Sequence, residues 1–146
     1  MVTEEMAREV MYALLRVQTS FRQAIQRSMK QHNIDLTFEM LQIMVYLWRK
    51  DGINQQELAD STFKDKASLS ALLNNLETKK LVKRIAATHD RRNKNILLTE
   101  HGKECGKLVK PLLSEIYQTV GLKMDSAETA LCVNYLQNLN HVFKEI

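Results

Sequence analysis

The sequence predicts a mainly α-helical domain that carries one small β-hairpin. Two observations lead there. Apolar residues recur at helical spacing through most of the 146-residue chain, and only the stretch around residue 85 switches to strict alternation. Four Gly and one Pro supply too few turns for a sandwich or barrel. With 45% hydrophobic and 26% charged residues, there is material for one ordinary core, and the composition is not that of a disordered chain. No apolar run approaches the roughly 18 residues of a membrane span. Met1 to Arg8 has no secretory pattern. Two cysteines cannot staple a scaffold, so a cytoplasmic setting is expected.

Met6, Val10, Leu14, Val17, Phe21 and Ile25 form one stripe of a helix from about Glu5 to Gln31, roughly 40 Å long. A helix that long in so small a domain commonly packs against a second chain. Thr37 reads as the N-cap of a second helix, with Met40, Leu41, Met44, Val45 and Trp48, ending near Lys50 at the turn Asp51-Gly52. Asn54 with Glu57 has the form of a capping box opening a short helix with Leu58 and Ala59. Asp65 caps the next, whose buried positions are Leu69, Leu72, Leu73 and Leu76. Two short helices joined at Ser61 to Lys64 make a helix-turn-helix pattern.

From Val82 the period becomes two. Val82, Arg84, Ala86 and Thr88 alternate with Lys83, Ile85 and Ala87; a polar tip, His89 to Lys94, precedes Asn95 to Leu98. This reads as a hairpin. Thr99 caps a helix to about Gly121, which Pro111 should kink or split. Asp125 and Glu128 bracket the last helix, with Cys132, Leu136, Leu139, Phe143 and Ile146 as its apolar stripe. Cys132 is expected in the core. A hairpin placed after the second helix of the pair is a wing.

Charge is concentrated on that region. Lys64 to Lys94 holds nine basic and three acidic residues, a local excess of +6 in a chain of net +4. A basic patch on a near-neutral body suits a polyanion such as duplex DNA, whose counterions it releases; a charge run is otherwise a solvated face. The excess falls on the second helix of the pair and on the wing.

The run Asp65-Lys66-Ala67-Ser68-Leu69-Ser70, continued by Leu76-Glu77-Thr78-Lys79-Lys80-Leu81-Val82-Lys83-Arg84, resembles the recognition helix and first wing strand of the multiple-antibiotic-resistance-regulator (MarR) family. His89-Asp90-Arg91-Arg92-Asn93-Lys94-Asn95-Ile96-Leu97-Leu98-Thr99-Glu100-His101-Gly102 resembles that family's wing and fifth helix. The resemblance implies a winged helix-turn-helix fold, dimeric, in one domain spanning 1–146. A DNA-binding core at about 33–99 is flanked by dimerisation helices at about 1–32 and 100–146. It implies a homodimeric transcriptional regulator, a repressor in the main reading, on a pseudo-palindromic operator of double-stranded DNA. A small aromatic effector would release it. Two positions depart from the family pattern. Lys80 stands where Gly is frequent, so the end of the recognition helix is expected to differ. Ala71 stands where Arg is frequent, which removes one contact.

The recognition helix should offer Lys64, Lys66, Ser68, Ser70 and Asn74 to DNA, Asn74 having the groups to pair with adenine. Gln55 and Gln56, at a helix start, suit a phosphate, or are ordinary first-turn residues. On the wing, Arg92 suits the narrow minor groove, Arg91, Lys94 and Arg84 are further DNA contacts, and Asp90 should pair with a wing Arg. Tyr12, Phe21, Met44 and Trp48 are material for an effector cavity between the first two helices, or simply core. His101 and Cys105, four apart, lack a third ligand, so no metal is expected. No cofactor and no catalysis are expected, since phosphate loop, nucleophile elbow and His/Glu metal pair are missing from the sequence. The competing function is a winged-helix protein-interaction module without DNA binding, which has no need of the +6 excess.

Overall fold

Every helix begins where a side-chain oxygen accepts an otherwise orphaned backbone N–H. The computed structural model describes residues 1–87 and 90–146, apart from the side chains of Asp90 and Arg91. Thr3 accepts from Met6 N–H at 3.2 Å to open α1 (Glu4–Gln31), and Thr37 from Met40 N–H at 3.2 Å to open α2 (Phe38–Arg49). Asn54 accepts from Glu57 N–H at 2.8 Å for α3 (Gln55–Ser61), and Asp65 from Ser68 N–H at 2.7 Å for α4 (Lys66–Thr78). Thr99 accepts from Gly102 N–H at 3.0 Å for α5 (Glu100–Lys123), and Asp125 from Glu128 N–H at 2.9 Å for α6 (Ser126–Glu145). The capping box at Asn54 is only half formed. Its reciprocal bond is replaced by an ion pair of Glu57 Oε1 with Lys50 Nζ, 2.5 Å, which also raises the Lys50 pKa.

The chain forms two compact units, Met1–Val109 and Lys110–Ile146. In the first, the core is apolar throughout. Ile25 and Met29 of α1, Ile43, Met44 and Leu47 of α2, Leu58 of α3, and Leu69, Leu73 and Leu76 of α4 are fully buried, with Ile96 from the sheet. Each contributes about 1.5–3 kcal/mol relative to exposure. Leu72, expected among the buried positions of α4, is half-buried.

The sheet has three strands, one more than the hairpin expected. β1 (Ile53–Asn54), β2 (Val82–Ala87) and β3 (Asp90–Leu98) lie antiparallel in the order β1-β3-β2. Ile53 pairs with Ile96, and Val82 with Leu98. A two-residue strand is too short to show alternation, so β1 leaves no sequence signal. The polar stretch expected as a tip is largely strand. Lys94 pairs with Ala86 and Asp90 with Ala87, so residues 91–93 bulge from β3 at the register shift.

Two expectations about helix ends are corrected. α5 is not split, since it runs as one element through Pro111. The end of α4 keeps the left-handed residue despite Lys80. At φ +61, Lys80 donates N–H to Glu77 O at 2.8 Å, and Leu81 N–H reaches Leu76 O at 3.0 Å. That is the Schellman pattern, here built on lysine.

In the second unit α6 has no buried residue. Leu131, Val133, Tyr135, Val142 and Phe143 are exposed, and so is Cys132, against expectation. On α1, Met6, Tyr12, Leu15 and Val17 are likewise exposed.

Candidate nucleic-acid interface

The first turn of α3, one side of α4 and the two long strands enclose a cleft of about 250 Å³. Gln55 and Gln56 come from α3, Lys66 and Ser70 from α4, Arg84 from β2, and Arg92 and Lys94 from β3, over an apolar floor of Ala59 and Leu69. Seven of the eleven residues expected to touch DNA therefore share one concave surface. Asn93 lines it too and was missed, because an uncharged residue inside a charged run gives no signal of its own.

The fold uses several of these groups internally. Arg84 is only 12% exposed as a side chain. It donates to Ser70 O at 3.2 Å and to Asn74 Oδ1 at 2.5 Å, and its Nε lies 2.5 Å from Glu77 Oε1. The Nε contact is an ion pair without the alignment of a hydrogen bond. Arg84 thus ties β2 to α4 rather than projecting outward. Pairing of Asn74 with adenine requires the Oδ1 that Arg84 occupies.

Ser68 places its hydroxyl on Asp65 Oδ2 at 2.9 Å, completing the cap of α4. The Ser68 N–H, then its hydroxyl, hold the Asp65 carboxyl below its usual pKa. Lys64 Nζ donates to Gln42 Oε1 at 2.9 Å, and Gln56 Nε2 to Asp60 Oδ1 at 2.9 Å. Burial pushes the Glu39 carboxyl up, but its backbone hydrogen bond, Arg22 and Lys64 outweigh burial and hold it low. Lys66, Arg92 and Lys94 are exposed at the cleft. The expected pairing of Asp90, and the side chain of Arg91, lie outside the described residues.

The residues proposed for an effector cavity each have surroundings of their own. Met44 is fully buried core and Tyr12 is exposed. Phe21 packs edge-on against Phe38, centroids 5.8 Å apart. Trp48 donates from Nε1 to Gly102 O at 3.0 Å and lies against Gly106. A second cleft, about 440 Å³, is lined instead by Ile34, Leu36, Leu81 and Leu108 with Lys79, Asp35, His101, Glu104 and Cys105. Burial raises the Cys105 thiol pKa, which leaves it protonated and a poor nucleophile.

Comparison with known proteins agrees with this geometry. The profile of the MarR family matches residues 34–93. The HTH-type transcriptional regulator SarZ of Staphylococcus epidermidis is 32% identical over 105 residues, covering 70% of this chain and 68% of that protein. The crystal structure of the S. aureus MepR–DNA complex is similar with a TM-score of 0.83 at 26% identity, over 92% of this chain and 97% of MepR. AbsC, a MarR family transcriptional regulator from Streptomyces coelicolor, has the same fold, with a TM-score of 0.84 at 21% identity over 100% and 99% of the two chains. A helix-turn-helix followed by a cationic wing, a profile match over that segment and a SarZ relative at this identity have one common reading: the chain belongs to the MarR family of transcriptional regulators.

Proposed function

We propose that the chain is a homodimeric transcriptional repressor that binds double-stranded DNA sequence-specifically, in the cytoplasm and without catalysis. The observation that carries this is the 250 Å³ cleft, where the start of α3, the outer side of α4 and the cations of β3 converge. In this reading α4 enters the major groove with Lys66 and Ser70 leading. Gln55 and Gln56 hold a phosphate at the start of α3, and Arg92 with Lys94 reaches the flanking groove. MepR, solved on DNA, shares the fold and supports the assignment. Residues 33–99 act as the DNA-binding core, and 1–32 with 100–146 as the dimerisation region. The exposed apolar groups of α6, and those of α1, supply surface a second copy would cover.

Selection of duplex DNA from a random pool by the full chain tests this. The expected product is a pseudo-palindrome with half-sites about one helical turn apart, bound by a dimer. Absence of any duplex binding at low salt, or a stable monomer at micromolar concentration, would refute it.

A further inference from the structure

The turn between α3 and α4 contains a residue that neither core nor caps explain. Phe63 has φ +55, a left-handed conformation that bulky side chains avoid. Its ring is 94% exposed, and among the described residues only chain-terminal side chains match or exceed it as large apolar groups open to solvent. The backbone does need a left-handed residue here, since Lys64 N–H then reaches Ala59 O at 3.0 Å and closes α3. Glycine would meet that need without strain. The phenyl ring adds strain and exposure together, and at such exposure the fold offers it almost no contact. A strained, unpacked residue points to a function outside the fold.

Its position indicates which. Phe63 stands between the α3 cap and Asp65, followed by Lys64 and, past Asp65, by Lys66, beside the end of α4 assigned above to the major groove. The apolar groups that duplex DNA presents in that groove are thymine 5-methyl groups, which phenylalanine contacts well. We propose that Phe63 is a specificity-determining residue whose ring covers a thymine methyl group in each half-site. This rests on the DNA-binding reading. Lys66, exposed at the cleft three residues on, fits a polyanion, and a protein partner on the same ring is the competing occupant.

The test uses the full chain and its selected duplex. Phe63→Gly and Phe63→Asn both accept the left-handed turn. Phe63→Gly should raise the thermal midpoint yet weaken operator binding about tenfold, with an unchanged salt slope because no phosphate contact is lost. A purely structural role would move stability and affinity in the same direction. Uracil in place of thymine removes only the methyl group. It should weaken the wild type about fourfold per contacted methyl, and leave both variants unaffected at those positions. If the wild type binds and the variants bind equally well, the proposal is overturned and DNA binding stands. Weaker variants without any uracil effect also overturn it, placing the ring on sugar or protein. If the wild type binds no duplex, both readings fall.

Discussion

Gly102→Ala tests how closely α5 must approach the sheet. A Cβ on Gly102 would lie 2.1 Å from the Leu81 carbonyl oxygen and 3.3 Å from Leu98 Cδ2. Real Cβ contacts essentially never fall below 3.0 Å, so α5 and the turn before β2 must part by about 0.9 Å. Three hydrogen bonds converge there: Thr99 N–H to Leu81 O at 3.1 Å, Thr99 Oγ1 to Lys80 O at 2.6 Å, and Trp48 Nε1 to Gly102 O at 3.0 Å. Parting weakens bonds worth about 1 kcal/mol each; holding firm costs about 1–3 kcal/mol in strain. The better helix propensity of alanine returns about 1 kcal/mol. The net expectation is a loss of up to about 2 kcal/mol. Urea unfolding followed by the fluorescence of Trp48, at one protein concentration, measures it. Gly121→Ala is the control: nothing lies within 4 Å of its Cβ, so it should stabilise by about 0.5–1 kcal/mol. A Gly102→Ala variant as stable as the wild type would refute the close approach.

Lys80→Gly should stabilise, because a left-handed lysine costs about 1–2 kcal/mol and the unfolded freedom of glycine offsets only about 0.4–1 kcal/mol. Calorimetry should show a midpoint higher by about 2–4 °C, and a lower one would mean Lys80 makes contacts that matter more. Asp65 is held below its usual value of 3.8 by Ser68, so its contribution is present above that pH and lost as pH falls through the folded value. Asp65→Asn keeps a cap but removes the titration, so its acid-unfolding curve should be flatter; an identical curve would detach the cap from acid sensitivity. For DNA binding, Lys66→Ala with Lys94→Ala should lower the magnitude of the salt slope by about 3.6 for a dimer, about 0.9 per lost phosphate contact. An unchanged slope would remove both from the interface.

How much of this was legible in the sequence depends on whether the cause is local. Caps were, because Thr37, Asn54, Asp65, Thr99 and Asp125 each act within three residues. The position of the helix pair and the cationic wing were legible for the same reason. What was not legible depends on distant partners. β1 exists because Ile53 meets Ile96, and the Trp48 ring is fixed by glycines more than fifty residues away. The left-handed Lys80 went against its propensity because the carbonyls of Leu76 and Glu77, like that of Lys80 itself toward Thr99, hold the turn. Cys132 was misplaced because an apolar stripe shows only that a residue wants cover, not which chain provides it.

The charge count along the chain overstates the cationic face, and the difference is informative. Lys79 pairs with Asp35, Lys64 with Gln42, and Arg84 turns inward to Glu77, Asn74 and Ser70. Besides Arg84, the cleft itself holds Lys66, Arg92 and Lys94 among the described residues. For Arg84 to reach DNA it would have to surrender all three contacts, and the wing would lose its tie to α4. A charge partly withdrawn from water interacts more strongly with its partner than an exposed one. In the proposed DNA-binding reading, Arg84 serves recognition by holding β2 and its hairpin against α4, so that the wing cations would meet the duplex at a set distance from the recognition helix. Contacts to phosphate fix register only if the elements bearing them are themselves fixed, and the half-buried Arg84 is the joint that would fix them.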